Sequence, residues 1–333
     1  MTEGRKIYIK TATQISMQQS LSEAWLTEPL LLTEPYVRSL DPNFRDWLNP
    51  LESRRMGKLM KRAIVTATKA MKEADVAMPD AIITGTGLGC IEHTERFLEQ
   101  ICREGEEMLK PTNFMQSTHN TIGSLVAIQT KCHGYNTTYS HRGVSFDSAL
   151  ADAFMQLSMG DISTALVMGH DEMTPSYFTI LKRMGYVGQP GQVPGAEASV
   201  AMVLTTGPSD DALCEVAAVE RMYGLTHLKT LPRDIDAVVV GTNGCAAHDA
   251  VYEEICQQLP AVPRLHYKHL FGECYSASAL GLYAAAHVLQ RGGAPAIMRC
   301  DGGADDLKVN SLLFVNHSDG RNVAYVVLRR FIV

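Results

Sequence analysis

The sequence lacks three features that would each indicate a particular class of protein. No apolar run approaches the roughly 18 residues of a membrane-spanning helix, so no such helix is expected. None of the cysteines forms a Cys-x-x-Cys pair, which argues against a zinc ribbon or a thioredoxin-type motif. No run of five basic residues occurs, and 30 basic against 36 acidic residues give a net charge of −6. A nucleic-acid-binding surface is therefore disfavoured.

The composition indicates an ordinary globular protein. Hydrophobic residues make up 46% and charged residues 20% of the 333 positions, a length that fits two units or one large one. The segment Met1–Lys6 leads into a strand-like stretch without the apolar core of a signal peptide. We therefore expect a cytoplasmic location with reduced thiols, most of them packed as small buried side chains.

Strand-like and helix-like segments alternate along the chain, which predicts a layered α/β fold. Ala237–Gly241 is a continuous apolar run, as expected for a strand covered on both faces. Ser145–Met159 is an Ala- and Leu-rich helical segment. A turn-rich joint at 207–211 divides the chain into an N-terminal half, 1–206, and a C-terminal half, 207–333, of one compact unit.

Two motifs that suggest ligand binding are incomplete. Gly85–Gly89 follows a strand, but the G-x-G-x-x-G dinucleotide fingerprint needs glycine where Cys90 stands, so a tight turn is the better interpretation. His266 and His269 lack a carboxylate at metal-ligand spacing, which favours a polar loop over a metal site. We expect neither a cofactor nor a metal.

A third motif is close to a nucleophile elbow. Gly143–Asp147 lies between a predicted strand and a predicted helix, but the second glycine of G-x-S-x-G is replaced by Asp147, which would crowd the turn. We therefore interpret Ser145 as a helix N-cap rather than a hydrolase nucleophile.

The segment Asn136–Glu172 resembles the β-ketoacyl synthase family of the thiolase fold. It combines a short strand, an Ala-rich helix, a Met-Gly-Asp turn and the strand Ala-Leu-Val-Met-Gly. Ser53–Asp75, Pro111–Thr121 and Gly195–Leu204 resemble the family's first long helix, the loop before its dimer-interface helix and its G-E-G-A strand entry. The resemblance implies duplicated βαβαβ halves in a five-layer α-β-α-β-α arrangement.

The resemblance also implies that the reactive positions are vacant. The family's nucleophilic cysteine falls on Gly143, the histidine of H-G-T on Val240, and the histidine of K-x-x-x-G-H on Glu273. The lysine of the last motif is retained as Lys268, and Ser318 stands where the family has a gating phenylalanine. Glycine cannot form a thioester, and neither valine nor ionised glutamate can donate a hydrogen bond to an enolate. The chain alone is therefore predicted to be inactive.

The same departures mark chain-length-factor subunits, the silent partners of active ketosynthases. The chain is most similar to ketosynthase-like subunits of aryl polyene and flexirubin-type pigment pathways. This resemblance implies a heterodimer with an active β-ketoacyl-ACP synthase, contact with acyl carrier protein, and a role in shaping the acyl tunnel during polyketide or fatty-acid-like elongation.

Alternative interpretations remain open. Cys245 or Cys274 could serve a divergent acyltransferase or a malonyl-ACP decarboxylase, although neither lies at the predicted elbow. A homodimeric scaffold that binds carrier protein is a third possibility. We expect Lys268 to pair with Glu273 rather than to orient a reacting group, because an unpaired buried charge is costly.

The interface is predicted on the segment before the vacant position. We expect Asn136–Ser140 to be an edge strand that crosses to the partner, with Thr121–Cys132 beside it. Phe114–His119 is expected to approach the partner's tunnel, although a place in the core would equally explain its apolar residues. The candidates for the tunnel or the interface are Phe114, Met115, His119, Tyr139 and Ser318.

Overall fold

The fold is described from a computed structural model of the chain. It describes residues 5–31, 33–107, 109–207, 210–224, 232 and 234–331. Met1–Gly4 and, in the predicted joint, Pro208 and Ser209 lie outside this range. No helix in the described part of the chain is both long and apolar enough to cross a membrane.

In the described part of the chain, ten strands form one mixed sheet and two short strands form a second. The strands are β1 (Ile7–Ile15), β2 (Ala81–Gly85), β3 (Tyr135–Tyr139), β4 (Thr164–Asp171), β5 (Ala198–Thr205), β6 (Cys214–Tyr223), β7 (Ala237–Val240), β8 (Arg264–His266), β9 (Gly293–Ala294), β10 (Leu307–Lys308), β11 (Ser311–Ser318) and β12 (Asn322–Arg330). The large sheet has the order β3-β2-β4-β5-β1-β6-β12-β11-β7-β8, and β9 pairs with β10.

Among the described elements, α-helices follow six of the twelve strands, namely β1, β2, β3, β4, β7 and β8, and so give the alternation that the sequence pattern predicts. They are α1 (Pro50–Ser53), α2 (Lys58–Glu73), α3 (Ile91–Glu104), α4 (Pro111–Ser117), α5 (Thr121–Thr130), α6 (Ser145–Met159), α7 (Pro175–Arg183), α8 (Ala246–Cys256), α9 (Lys268–Phe271) and α10 (Ala277–Arg291). The boundaries of α6 coincide with the prediction. The sequence predicts a loop where α4 lies, but Pro111 at its first turn starts a helix because proline needs no hydrogen-bond partner there.

The large sheet contains the same topology twice. The first five strands have the order 3-2-4-5-1, and the last five, counted from β6 and read from the β8 edge, have the same order. The strand directions agree as well: β3-β2-β4 and β8-β7-β11 are parallel, and the remaining strands, β5 and β1 in the first set and β12 and β6 in the second, each pair antiparallel with the strand before them. A short antiparallel contact between β1 and β6 joins the two sets. On this ground we propose that the two halves meet near residue 206.

Three hydrophobic cores fill the spaces between five layers. The largest surrounds the central helices and reaches both strand sets, and the other two lie under the outer helices. Helices α2 and α5 cover one face of the first strand set, and α8 covers one face of the second. Helices α6 and α10 lie between the two sets and touch each other, as well as strands of both. The predicted five-layer arrangement is therefore confirmed. Its central layer consists of α6 and α10, which come after the corresponding edge strands β3 and β8.

The turn before α6 differs from the prediction in one detail. The interpretation of Ser145 as an N-cap is wrong, because Val144 caps the helix and Ser145 is its first residue. The Ser145 hydroxyl accepts a hydrogen bond from the backbone N–H of His141 (2.8 Å) and donates to the carbonyl of Arg142 (2.7 Å). It thereby closes the tight turn at residues 142–144, in which Arg142 has a positive φ of 52°.

Candidate functional site

A cavity of about 570 Å³ opens beside Gly143, at the carboxyl ends of β4 and β11. Its volume lies within the range of small-molecule sites. Residues of both halves form its wall, among them Gly143, Lys268, Glu273 and Ser318, which the sequence singled out. Both Cys245 and Cys274 also line it. The cavity therefore brings together four of the five predicted family positions.

Gly143 leaves open space at the start of α6. A Cβ atom built there would lie 3.6 Å from the side chain of Ser318, an ordinary van der Waals distance, so a larger residue would fit. The Asn316 amide donates to the Gly143 carbonyl and to the Asp147 carboxylate, both at 2.7 Å, and so fixes the turn. Strand β11 thus supports a vacant position rather than filling it.

Lys268 and Glu273 form the predicted ion pair. Lys268 Nζ lies 2.8 Å from Glu273 Oε2, and the lysine side chain is only 4% exposed. The amide nitrogen of Asn243 donates to the same oxygen at 2.7 Å. The Glu273 carboxylate is therefore held from two sides on one oxygen atom, which offsets the cost of burying its charge.

Removing Lys268 alone is expected to destabilise the protein. We predict that Lys268→Met lowers the free energy of unfolding by about 3 kcal/mol, because the buried Glu273 carboxyl group loses its cationic partner. The double variant Lys268→Met/Glu273→Leu is expected to stay within about 1 kcal/mol of the wild type, because no buried charge remains. Urea unfolding of both variants measures this, and a double variant as unstable as the single one contradicts it.

Two further carboxylates line or approach the cavity from buried positions. Asp171 accepts hydrogen bonds from the backbone N–H groups of Gly87 and Leu88 (both 3.0 Å) and from the Ser276 hydroxyl (2.5 Å). Gly85–Gly89 is therefore a turn that wraps a carboxylate of its own chain, as the tight-turn interpretation predicts. Burial raises the pKa of Asp171 to about 6 and that of Glu172 to about 7.

Asp147, in the first turn of α6, makes the stability depend on pH. Burial raises its pKa from 3.8 to about 6, so the folded chain binds this proton more tightly than the unfolded chain. Its contribution to stability is complete below about pH 4 and is lost as the pH rises through about 6.

The variant Asp147→Asn should remove this dependence. Its amide oxygen can still accept the Asn316 hydrogen bond, so at about pH 8 the free energy of unfolding should rise by about 2–3 kcal/mol relative to the wild type. At about pH 4 the two proteins should be equally stable. Urea unfolding at both pH values measures the difference, and an offset that is the same at both would show that Asp147 is not the titrating group.

Two histidines stand on the cavity wall near the ion pair. The rings of His248 and His317 are 4.2 Å apart, and Tyr252 packs 4.6 Å from His317. Burial and the neighbouring ring lower the pKa of His317 to about 3, and burial lowers that of His248. His317 Nε2 lies 3.0 Å from the His248 carbonyl oxygen and donates to it in the neutral form. Both imidazoles are therefore neutral at about pH 7.

Comparison of the sequence with protein-family models identifies the family of this chain. Residues 24–235, about two thirds of the chain, match the model of the β-ketoacyl synthase N-terminal domain. The chain belongs to the β-ketoacyl synthase family. No curated protein sequence matches it.

Solved structures agree with the family at low sequence identity. The ishigamide ketosynthase/chain length factor superposes with a TM-score of 0.83 at 16% identity, covering 99% of this chain and all of the other. The ketosynthase ApeO in complex with its chain length factor ApeC from Xenorhabdus doucetiae gives 0.77 at 12%, covering 98% of each chain. A complex of AntDE with the acyl-carrier protein AntF, in which the ketosynthase holds a hexaketide, gives 0.76 at 13%, covering 98% and 100%. At these identities the matches show the thiolase-like fold.

One vacant position of this β-ketoacyl synthase family member lies away from the cavity. The sequence places Val240 where the family has the histidine of H-G-T, but its side chain packs with Val238 in the outer core beneath α8. The side chains of a strand alternate between its two faces, and Val240 is on the outer one. Asn243, three residues further on, lines the cavity and contacts Glu273 instead.

The two cysteines of the enzymatic alternative differ in their surroundings. Burial, together with the Asp171 and Glu273 carboxylates, raises the pKa of Cys274 well above its ordinary value. A thiol of this kind is a poor nucleophile at neutral pH, because the thiolate is the reactive form. Cys245 is half-buried and caps the N-terminus of α8. All eight cysteines of the chain are free thiols.

Four of the five interface candidates, Phe114, Met115, His119 and Tyr139, lie on or near the β3 edge of the sheet. Phe114 and Met115 are 56% and 67% exposed, so the alternative that placed them in the core is wrong. Strand β3 is the edge of the large sheet, as predicted. Tyr139 is half-buried on this strand, and exposed His119 packs beside Gly89. Of the five candidates only Ser318 lines the cavity, so a role of the other four in a partner's tunnel stays a prediction.

Several cavity residues could not be recognised from the sequence. Asn243, His248, Asn316 and His317 all line the cavity, yet they match no family motif that names a reactive group. The one available signal was position: His317 and Asn316 directly precede Ser318, and Asn243 follows the Gly-Thr remnant of H-G-T.

Proposed function

We propose that this chain is a non-catalytic, chain-length-factor-type subunit. In this role it pairs with an active β-ketoacyl-ACP synthase and shapes the tunnel that holds the growing acyl chain. The observation that supports this proposal most directly is the open cavity beside Gly143, where the family's nucleophile position bears no side chain. An acyl-transfer route through a thioester at this position is absent, whereas the surrounding framework is intact.

The surface near the β3 edge supports the pairing. Exposed apolar side chains of adjoining elements form what we call the edge patch: Leu98, Phe114, Met115, Ile128 and Tyr135. An exposed sheet edge flanked by apolar side chains is suited to association with another chain. Two of the similar solved structures are of a ketosynthase with a chain length factor, and a third is of a ketosynthase with an acyl-carrier protein. We therefore propose a heterodimer that acyl carrier protein visits, as in aryl polyene or related polyketide pathways.

The free thiols also support a cytoplasmic complex. None of the eight cysteines is paired in a disulfide, as is usual in a reducing compartment. We keep the cytoplasmic location as part of the proposal.

Reconstituted elongation tests the proposed function. A ketosynthase encoded beside this chain is assayed with acyl carrier protein and malonyl-ACP, alone and together with this chain. We expect the pair to elongate at least ten-fold faster than the ketosynthase alone, or to release a defined longer product. A ketosynthase that elongates equally well alone, to the same product lengths, would refute the proposal.

A second candidate function rests on the position of Cys245. Cys245 lines the cavity, occupies the N-cap position of α8 and lies on the same wall as neutral His248. The candidate activity is decarboxylation of malonyl-ACP, or acyl transfer, by the chain alone. It predicts CO₂ release by the isolated chain that Cys245→Ser abolishes, with Cys274→Ser as the matched control. Our proposal predicts that neither the wild-type chain nor either variant releases CO₂.

A further inference from the structure

The cavity beside Gly143 is a built site rather than a residual gap. Aliphatic side chains, among them Ile180, Leu181, Met184 and Val251, form much of its wall. The polar groups converge on one place, the carboxylate of Glu273 with Lys268 and Asn243. An apolar wall with a few convergent polar groups is the usual construction of a small-molecule site.

The polar end of the cavity offers a ligand a hydrogen-bond acceptor. Lys268 and Asn243 both donate to Oε2 of Glu273, and no described residue donates to Oε1. The Glu273 side chain is 19% exposed while it lines the cavity, so Oε1 is accessible to a ligand. Lys268 is paired with Glu273 and its side chain is only 4% exposed, so the accessible group at this end is Oε1, which accepts a hydrogen bond and carries negative charge.

The rest of the wall disfavours an anionic ligand. Asp171, Glu172 and Asp319 add carboxyl groups to the lining, against the single further cation Arg142. A ligand carboxylate at Oε1 would be repelled by the Glu273 carboxylate and would have no proton to donate to it. A ligand cation at Oε1 would lie close to the Lys268 ammonium, which is 2.8 Å from Oε2 of the same carboxylate, and their repulsion would offset its attraction to Glu273. A neutral hydroxyl satisfies Oε1 without repulsion of either kind.

We propose that this cavity binds, without a covalent bond, a neutral aliphatic molecule that ends in a hydroxyl group. The hydroxyl donates to Glu273 Oε1, and the aliphatic body packs along the wall formed by α7 and α8. The inference goes beyond the proposed function, because such binding needs neither a partner subunit nor carrier protein.

Calorimetric titration of the full chain tests this site with three matched probes: octan-1-ol, sodium octanoate and methyl octanoate. We expect octan-1-ol to bind at least ten-fold more tightly than octanoate and than methyl octanoate, because the ester cannot donate and the carboxylate is repelled. Equal affinity for all three, tighter binding of octanoate, or no binding of octan-1-ol would each overturn the inference.

Two variants locate the site. In Glu273→Gln the Lys268 ammonium loses its counter-ion, so the preference should reverse, with octanoate binding more tightly than octan-1-ol. In Gly143→Leu the added side chain occupies the cavity, and octan-1-ol binding should be lost. The matched control is Gly207→Leu, at an exposed glycine where an added Cβ would meet no atom within 4 Å, and it should bind as the wild type does.

If Glu273→Gln still binds octan-1-ol more tightly than octanoate, the inference is overturned. Octan-1-ol binding that survives in Gly143→Leu would overturn it as well. Stimulation of the partner ketosynthase, measured separately, reports on the proposed function alone.

Discussion

Gly143→Cys will give the chain an acylatable thiol at a position where the wild type has none. The side chain fits, because a Cβ there lies 3.6 Å from Ser318. The new thiol stands at the start of α6, a 15-residue helix whose N-terminus favours the thiolate. Incubation with an acyl-ACP thioester should therefore produce an adduct approaching one acyl group per chain on residue 143, against none in the wild type.

The same variant should not regain condensation. Glu273 accepts rather than donates, and a missing donor to a developing oxyanion costs about 10²–10³ in rate. Peptide mapping by mass spectrometry locates the adduct, and Gly207→Cys serves as a control for an exposed thiol outside the cavity. If the thiol introduced at position 143 stays unmodified while Cys245 is acylated, the nucleophile position has been placed wrongly.

A single charge in the edge patch will separate this chain from its partner. Ile128 is 70% exposed on α5, a helix that packs against β3. Burial of such a side chain contributes about 1.5–3 kcal/mol, and Ile128→Asp also introduces a charge that must lose its water. We expect the dissociation constant of the heterodimer to rise at least 30-fold, with stimulation of elongation lost in parallel.

The control for this variant is Tyr223→Asp. Tyr223 is equally exposed, at 69%, but ends β6 in the middle of the large sheet order, away from the β3 edge. Analytical ultracentrifugation of both variants with the partner measures the effect. Dissociation by Tyr223→Asp with an intact Ile128→Asp complex would place the interface elsewhere.

Much of the fold could be predicted from the sequence, because local pattern and burial agree in its central elements. Helix α6 has the predicted bounds, since its Ala-rich sequence is buried between two strand sets and Gly160 ends it in a left-handed turn. In the sequence, only the similar order of elements in the two halves indicates a duplication, because the halves share no sequence repeat. The strand order of the sheet shows the duplication directly.

The candidate site was only partly predictable, because motif alignment assigns positions along the chain and not side-chain directions. Val240 follows the motif but faces the outer core, while Asn243 reaches Glu273 after the chain has turned. Asp171 could not be recognised as a group near the cavity, because its partners Gly87 and Leu88 are more than 80 residues away. Contacts of this kind depend on tertiary packing.

Intact-mass analysis of both subunits of the complex, after incubation with acyl-ACP, tests the central claim most directly. The account predicts one acyl group on the partner ketosynthase and an unmodified mass for this chain, because Gly143 offers no atom to acylate. A covalent acyl group on this chain, in the complex or in isolation, would contradict it.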